Sequence, residues 1–241
     1  MPIFFLDKAP EGAQAVISGA DAKHISRVLR MRVGEPITLC DQQGYDYHGE
    51  IARIMDDAVL ISVAKQVKSV SEPTVQVHLF QAMPKSDKME LIIQKSVELG
   101  VTEITPVFTK RCVSRPDARS MAKKLERYQK IALEAAKQSG RARIPVIHEA
   151  VNFSLALQQM AEYDLPLLFY ERAQSSLKDI LLKGFSSASI LIGSEGGFEE
   201  WEAEQAMLAG CQTVSLGPRI LRCETAPLAA LSVLMFSSGN L

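Results

Sequence analysis

Short apolar runs alternate with helix-forming stretches over the second two thirds of the chain, and this alternation restricts the possible folds most strongly. A linker-like stretch, Ser69 to Pro73, precedes it. We predict strands over residues 75–81, 103–108, 145–148, 166–170, 188–192 and 213–216, and helices over 87–99, 121–139, 154–162, 176–183 and 226–236, with one more helix after Phe198. Such alternation is typical of a mostly parallel sheet covered by helices on both faces. Residues 74–241 are therefore predicted to form an α/β domain.

Two glycine-centred turns follow the predicted strands that end at Ile192 and Leu216. Ligands of open α/β sheets bind beyond the carboxyl ends of the strands. The first turn, Gly193-Ser194-Glu195-Gly196-Gly197, lacks the Gly-Lys-Ser/Thr of a phosphate-binding loop and does not match G-x-G-x-x-G. The helix that follows opens with acids at its positive end, which disfavours a phosphate: Glu199, Glu200, Glu202 and Glu204. This turn is predicted to bind a near-neutral or cationic ligand.

The second turn runs from Leu216 to Ala226 and carries Arg219, Arg222 and Glu224 in front of an apolar helix. Thr225 can cap that helix, and Pro227 falls in its first turn, where a missing amide proton costs nothing. Charged residues between a strand and a helix, beside a glycine-rich loop, indicate a functional site. The pattern alone does not define its chemistry.

Residues 1–70 have a different sequence pattern, in which short β-type runs dominate, at 3–6, 15–17, 37–40, 45–54 and 58–67. One helix interrupts them. Asp21 can cap this helix, which carries His24 and Arg27 and ends before Gly34. The pattern predicts a small β-barrel with a helix at its mouth.

The composition excludes some classes of protein and leaves others open. A chain of 241 residues can form one large domain or two ordinary ones, and 47% hydrophobic content excludes disorder. A net charge of −1 excludes a globally basic nucleic-acid binder. A local excess remains, because residues 110–143 contain eleven Lys or Arg against three Asp or Glu. Such a patch can attract a polyanion while the total charge stays small.

Two basic clusters are therefore candidates for phosphate contacts. The first lies on the N-terminal helix and comprises Lys23, His24, Arg27, Arg30 and Arg32. It is either a solvated helix face or a clamp for an RNA backbone, whose phosphates match arginine forks. The second is the basic arm of residues 110–143, where the helical lysines can be merely solvated. Polar residues in loops more often contact a binding partner than those on helix faces. The arginines predicted to lie in loops are therefore favoured as contacts to a phosphate-rich partner: Arg111, Arg115, Arg141 and Arg143.

The cysteines and the chain start indicate the compartment. Cys40, Cys112, Cys211 and Cys223 lie far apart with no C-x-x-C pair, which argues against a zinc site. The start of the chain does not resemble a signal peptide, and no segment reaches the roughly 20 apolar residues of a membrane span. A reducing cytoplasm with free thiols is predicted, without a membrane partner.

The motif pair Gly193 to Gly197 and Leu216 to Ala226 resembles the signature of the 16S ribosomal RNA uridine N3-methyltransferases, a branch of the SPOUT superfamily. Other segments agree in order along nearly the whole chain: His24 to Arg30, Lys88 to Glu90, Gln94 to Val101 and Gln138 to Arg141. Eleven consecutive motif residues are far more specific than a glycine pattern. The family usually has proline at the position of Ser194. This difference affects the stiffness of the loop more than its chemistry, because proline mainly restricts backbone freedom. No role is transferred to Pro227 or Ala229, which also depart from commoner versions.

This resemblance implies a PUA-like β-barrel RNA-binding domain at residues 1–70 and a SPOUT methyltransferase domain at 74–241 with a C-terminal trefoil knot. Knots are rare exceptions to the rules of chain connection. The resemblance further implies S-adenosyl-L-methionine as cofactor and a homodimer. The implied partner is 16S ribosomal RNA of the small subunit, methylated at N3 of one uridine (m3U1498) in the cytoplasm.

The resemblance assigns residues to two roles, and the basic clusters supply candidates for a third. The implied catalytic residues are Arg222, Glu195 and Glu224. The implied cofactor-binding residues are Leu168, Phe169, Tyr170, Gly193, Ser194, Glu195, Gly196, Gly197, Leu216, Gly217, Ile220 and Leu221. The RNA-binding candidates are His24, Arg27, Arg30, Arg32, Lys88, Arg111, Arg115, Arg141 and Arg143.

Methylation at N3 requires removal of the N3 proton and stabilisation of the resulting uracilate. Arg222 is the first choice for the electrostatic role at the uracil carbonyl oxygens. Glu195 or Glu224 accepts the proton, orients Arg222, or merely caps a turn. No metal is required. Two other functions stay open: a ribose 2′-O-methyltransferase of the same superfamily, and an RNA-binding ribosome-assembly factor without catalysis.

Overall fold

The computed structural model describes residues 3–6, 8–10 and 12–241, and the chain divides into two units. The first unit comprises Met1–Glu72 and Ala136–Ile144. The second comprises Pro73–Ala135 and Pro145–Leu241. The first unit therefore includes a short segment from the basic arm, which the linker-like stretch before Pro73 did not indicate.

A five-stranded sheet forms the first unit, in the order β1-β3-β4-β5-β2. The strands are β1 (Ile3–Phe5), β2 (Gln14–Ser18), β3 (Pro36–Cys40), β4 (Tyr45–Ile54) and β5 (Ala58–Lys68). The β1–β3 pair is parallel and the others are antiparallel. A small β-barrel was predicted here. Among the described residues β1 and β2 are the two edge strands and do not pair with each other, so the strand pairing does not close the sheet into a barrel. The predicted β-rich character is confirmed.

Two register irregularities between β4 and β5 bend this sheet around its core. One of them lies at Gly49, where a Cβ would collide with the backbone oxygen of Ser62. Only glycine permits the two strands to approach so closely. The enclosed core is apolar and includes Ile25, Leu39 and Ile61, all fully buried.

The helix of the first unit differs from the prediction at its start. α1 (Gly19–Lys23) begins after Ser18, and a π-helical turn over His24–Val28 continues it. The prediction that Asp21 caps the helix is wrong, because Asp21 lies in its first turn. Its carboxylate instead receives Lys137 Nζ at 3.2 Å. That partner is 116 residues away in sequence, beyond the reach of a local capping rule.

A parallel sheet forms the second unit, in the order β12-β10-β11-β6-β7-β8, with β9 also paired to β7. Its strands are β6 (Gln76–Ala82), β7 (Glu103–Phe108), β8 (Val146–Ile147), β9 (Val151–Asn152), β10 (Leu165–Phe169), β11 (Ser187–Ile192) and β12 (Gln212–Val214). Every strand pair is parallel. The predicted α/β fold is confirmed, whereas the two-residue strand β9 was not predicted.

Six helices accompany the strands of the second unit: α2 (Lys88–Glu98), α3 (Ala118–Ser139), α4 (Phe153–Met160), α5 (Leu177–Leu181), α6 (Glu200–Leu208) and α7 (Ala226–Ser237). The central strands are buried along most of their length, as expected for a sheet covered on both faces. α3 begins three residues before its predicted start, because Asp117 accepts a hydrogen bond from the amide of Ser120 at 2.7 Å. Its last four residues belong to the first unit.

The start of α7 also departs from the prediction. Thr225 holds the N-cap position, but its side chain makes no capping hydrogen bond. The carbonyl of Arg222 instead accepts the amides of Thr225 at 2.8 Å and Ala226 at 2.9 Å. Pro227 lies in the first turn as predicted. In the described part of the chain, no helix is long and apolar enough to cross a membrane.

Candidate active site

The two glycine-centred turns line one cavity of about 590 Å³ beyond the carboxyl ends of β10, β11 and β12. The loop after β11 contributes Gly193 to Phe198, and the loop after β12 contributes Ser215 to Cys223. Phe169 to Glu171 contribute a third wall, at the end of β10. Parallel strands bring these three loops to one edge of the sheet, where ligands of such sheets bind.

The cavity brings together most of the residues assigned by resemblance to the cofactor. All of them line it except Leu168, which is fully buried in the core beneath the pocket. The sequence did not single out Glu171, Ile192, Phe198, Ser215, Pro218, Cys223 and Ala226 as pocket residues, nor Arg219 and Lys88 as lining this cavity. Pro218, Arg219, Cys223 and Ala226 lie inside the second motif, whereas the position of Lys88 and Glu171 follows from sheet order, which no local motif encodes.

The loop after β11 requires its glycines for steric reasons. A Cβ on Gly193 would lie 3.0 Å from Cα of Gly197 and 3.3 Å from the ring of Phe198. Gly197 has φ of +66° and donates its amide to the carbonyl of Ser194 at 2.9 Å. Side chains at these positions would open the turn. The loop therefore forms a tight backbone wall against the cavity.

One buried hydroxyl in this wall lacks a partner. Ser194 is 7% exposed and lines the cavity, and its Oγ makes no hydrogen bond with the described residues. A buried hydroxyl without a partner is costly, by about 1–3 kcal/mol. A polar ligand group in the cavity would satisfy it, which makes Ser194 a binding position.

Lys88 joins the two motif loops through a pair of carboxylates. Its Nζ lies 3.0 Å from Glu195 and 3.3 Å from Glu224, and 3.8 Å from Sγ of Cys223. Glu195 also accepts the backbone amide of Lys85 at 3.1 Å. One cation on α2 thus fixes an acid from each loop. The sequence assigned Lys88 to RNA, and the structure places it in the wall of the cavity.

This arrangement shifts the pKa values of all three groups in the direction that favours their charged forms. The hydrogen bond to Glu195 raises the pKa of Lys88 above its ordinary value, against a partial desolvation. Burial alone would raise the pKa of the Glu195 carboxyl, yet the bonds from Lys88 and the backbone amides of Glu195 and Lys85 lower it. The pKa of Glu224 is also lowered, since its own amide, Cys223 and Lys88 outweigh burial. All three groups are charged at neutral pH.

Arg222 lies exposed at the rim of the same cavity. Its guanidinium forms no ion pair or hydrogen bond with the described residues. It is the second motif arginine in this loop, three residues after Arg219. The site thus combines an ion-paired cluster of two carboxylates and one lysine with a free cationic group.

Arg111 supports the glycine loop from outside. Its guanidinium donates to the carbonyl of Gly196 at 2.7 Å and contacts both carboxylate oxygens of Glu199, at 3.0 and 3.1 Å. Glu199 caps α6 in a reciprocal capping box with the fully buried Glu202. Arg111 was predicted to bind RNA, and in the structure it holds the loop that lines the cavity.

The other predicted RNA contacts fall into two groups. His24, Arg27, Arg30 and Arg32 are all exposed on the first unit. Arg115 donates to the carbonyl of Thr109 at 2.6 Å, and Arg143 to that of Gln43 at 2.8 Å. Arg141 is 3% exposed and pairs with Glu72 at 2.7 Å. Burial leaves Arg141 no free face for a phosphate, so it serves the packing of the first unit instead.

The fold and the pocket define a class, a parallel α/β domain with a ligand cavity beyond the carboxyl ends of its strands, in a chain that also carries a β-rich unit. Residues 71–235 match the family model of the RNA methyltransferase domain, and residues 17–64 match that of the RNA methyltransferase PUA domain. A ribosomal RNA small subunit methyltransferase E from Bacillus subtilis is 37% identical over 230 residues, covering 92% of this chain and 90% of that protein.

Solved structures agree over the whole chain. Ribosomal RNA small subunit methyltransferase E from Neisseria gonorrhoeae, bound to S-adenosyl methionine, is 34% identical with a TM-score of 0.86, covering 98% of this chain and 97% of that one. A Legionella pneumophila methyltransferase in complex with the same cofactor is 32% identical with a TM-score of 0.80, over 98% and 97%. The chain belongs to the ribosomal RNA small subunit methyltransferase E family, and it is an S-adenosylmethionine-dependent RNA methyltransferase.

Proposed function

We propose that this chain methylates N3 of one uridine, m3U1498, in 16S ribosomal RNA of the small subunit. The observation that carries the proposal is the single cavity lined by both family motifs, with a free arginine at its rim. S-adenosylmethionine supplies the methyl group when it is bound.

The cavity suits the cofactor chemically. The backbone of Gly193 to Gly197 allows close approach, and Leu216, Ile220 and Leu221 offer apolar contact on the other side. Ser194 offers a hydrogen bond that is otherwise unmade. The carboxylate of Glu171, which lines the cavity, favours a ligand with positive charge. These residues would hold the cofactor, together with Phe169 and Tyr170 at the end of β10.

Arg222 takes the electrostatic role in the reaction. Loss of the N3 proton leaves negative charge on the uracil carbonyl oxygens, and a fixed guanidinium stabilises it. Arg222 is free to do so because no acid of the described residues engages it. Lys88 is already committed to two carboxylates, and thus holds the loops in position.

Glu224 accepts the N3 proton in this proposal, and Glu195 positions the loop. Both Glu195 oxygens are engaged by the amide of Lys85, and one by Lys88. In Glu224, Oε2 receives both Lys88 and Cys223, which leaves Oε1 free of other side chains. The lowered pKa of Glu224 makes it a weak base, so alignment of the reactants must supply much of the rate.

RNA contacts are proposed for the exposed cations of the N-terminal domain, residues 1–70: His24, Arg27, Arg30 and Arg32. Side chains of this type on one segment are suited to phosphate oxygens. In the methyltransferase domain, residues 74–241, the exposed Lys123 and Lys130 of α3 are proposed as further RNA contacts. Arg143 is exposed as well and keeps part of its guanidinium for RNA.

We further propose that the C-terminal segment is knotted and that the chain acts as a homodimer. After β12 at the sheet edge, the chain returns to the centre, where α7 contacts β6, β11 and α2. This return path supports a passage through an earlier loop. Exposed Leu208 and Phe236 support a partner surface on the same domain. Four buried, unpaired cysteines support a reducing, cytoplasmic location.

Calorimetry with S-adenosylmethionine and a transfer assay with small ribosomal subunits that lack the modification test the proposal. We expect one cofactor per chain and stoichiometric labelling of 16S ribosomal RNA. Cofactor binding without transfer to this RNA would contradict the substrate assignment. Absence of cofactor binding would favour an assembly factor without catalysis.

A further inference from the structure

A second cluster of ligand-type side chains lies in the methyltransferase domain, outside the cofactor cavity. It comprises His78 on β6, Glu103 on β7 and His148 just after β8. The potential ligand atoms of the three residues all lie within 4.8 Å of one another. None of the three lines the cavity or belongs to the motifs. Nothing in the proposed reaction uses them.

Neighbouring side chains fix the orientation of the buried member. His78 is 5% exposed, and its ring stacks on Phe80 with a centroid distance of 4.1 Å. Its Nε2 lies 2.8 Å from Oγ1 of Thr105, and its Nδ1 lies 2.8 Å from the hydroxyl of Tyr163. With Nε2 donating to Thr105, Nδ1 accepts from the hydroxyl of Tyr163, so an ion bound at Nδ1 would displace that hydroxyl or take it as a further ligand. Metal-bound histidines are oriented by such a bond from their second nitrogen.

The other two members are within reach of an ion from solvent. Side chains of Glu103 and His148 are 33% and 40% exposed, and His148 Nε2 lies 2.6 Å from Glu103 Oε2. The same Glu103 oxygen lies 3.9 Å from Nδ1 of His78. Ligand atoms around a tetrahedral zinc ion are separated by about 3.4 Å, so on binding the His148–Glu103 distance would widen and the Glu103–His78 distance would shorten slightly.

We propose that His78, Glu103 and His148 form a binding site for a divalent transition metal of the zinc class. Two imidazoles and one carboxylate match the nitrogen and oxygen ligands that zinc accepts, and a solvent molecule or Tyr163 completes the shell. The hard ions Mg²⁺ and Ca²⁺ prefer oxygen ligands and are excluded. The ion would tie β6, β7 and the segment after β8 together. Cysteine spacing gave no sign of this site because it contains no cysteine.

The test uses the full-length, untagged protein and ZnCl₂ in isothermal calorimetry, with MgCl₂ as a second titrant. We expect one Zn²⁺ per chain at micromolar affinity or tighter, and no binding of Mg²⁺. His148→Ala removes the most exposed ligand and is expected to weaken Zn²⁺ binding by at least about tenfold. His48→Ala, at an exposed histidine of the first unit, is the matched control and is expected to bind as the wild type does.

Two outcomes would overturn the proposal: no stoichiometric Zn²⁺ in the wild type, or equal binding in the wild type and in His148→Ala. Glu103→Gln is a second variant that keeps the shape of the side chain and removes its charge, so a loss of Zn²⁺ binding in it would not be explained by misfolding. Circular dichroism and methyl transfer without added metal should match the wild type in His148→Ala. This result would separate loss of the metal from loss of the fold.

Discussion

At the scale of single residues, the free guanidinium of Arg222 is the feature on which turnover depends. Arg222→Ala is expected to reduce the rate of methyl transfer by about 100- to 1,000-fold, the usual effect of removing one charge-stabilising group. Its affinity for S-adenosylmethionine should stay within about twofold, because the cofactor-binding wall is unchanged. Single-turnover kinetics and calorimetry measure the two quantities. Arg219→Ala, in the same loop, is the matched control. If Arg222→Ala lost cofactor affinity to the same extent as rate, Arg222 would be a binding residue.

Lys88 is expected to act through the two carboxylates that it joins. Lys88→Met keeps the length of the side chain and leaves Glu195 and Glu224 as unpaired neighbours, so both loops should loosen. We expect a roughly tenfold weaker affinity for S-adenosylmethionine, equivalent to about 1.4 kcal/mol. Lys95→Met, which removes a half-buried Lys95–Glu98 pair at 2.8 Å on the same helix, should leave the affinity unchanged.

The charge states of this cluster predict a pH window. The pKa values of Glu195 and Glu224 are lowered, so their contribution is present above the ordinary glutamate value and is lost as pH falls through the lowered one. The pKa of Lys88 is raised, so its contribution persists below its ordinary value and is lost only at higher pH. Cofactor affinity should therefore be flat from about pH 5 to 9 in the wild type. A titration by calorimetry that found a steep change within this range would contradict the pairing.

At the scale of elements, the loop after β11 buries the hydroxyl of Ser194, which only a ligand in the cavity could satisfy with a hydrogen bond. Ser194→Ala removes a buried polar atom without a partner, so the free protein should gain about 1 kcal/mol in its free energy of unfolding. The same change should weaken cofactor binding several-fold. Ser96→Ala on α2 is the matched control, since that buried hydroxyl also makes no hydrogen bond and lies outside the cavity.

Urea denaturation and calorimetry separate the two effects. Ser96→Ala should show the gain in stability without any change in cofactor affinity. A Ser194→Ala variant that binds S-adenosylmethionine as tightly as the wild type would exclude a bond from Ser194 to the ligand.

Local patterns in the sequence predicted the elements but not their partners. Apolar runs and glycine stops placed β11, α2 and β4 within about one residue of their observed bounds, since these signals depend on neighbours in the chain. The cap at Asp21 failed because the helix begins earlier, after Ser18, and the Asp21 carboxylate pairs with the distant Lys137. The assignment of Arg141 to RNA had a similar cause, because its partner Glu72 is 69 residues away in sequence and no local pattern indicates the pair. Motif resemblance identified the two loops of the pocket, whereas the role of Lys88 depends on sheet order.

At the scale of the whole molecule, RNA binding should depend on salt through the exposed cations of the N-terminal domain. Changing Arg27, Arg30 and Arg32 together to alanine should weaken RNA binding and reduce the slope of log affinity against log salt by up to about 2 for single-stranded RNA. Filter binding at several KCl concentrations measures this slope. Lys65→Ala with Lys68→Ala, on exposed positions of β5, is the control. An unchanged slope in the triple variant would place the RNA elsewhere.

The central claim is that the cavity between the two motif loops transfers a methyl group to a base nitrogen of 16S ribosomal RNA. Nucleoside mass spectrometry measures it most directly, on small subunits that lack the modification and are treated with the protein and S-adenosylmethionine. We predict 3-methyluridine at the single position m3U1498, present with the wild type and strongly reduced with Arg222→Ala. A 2′-O-methylated nucleoside, or 3-methyluridine formed equally well by Arg222→Ala, would contradict the account.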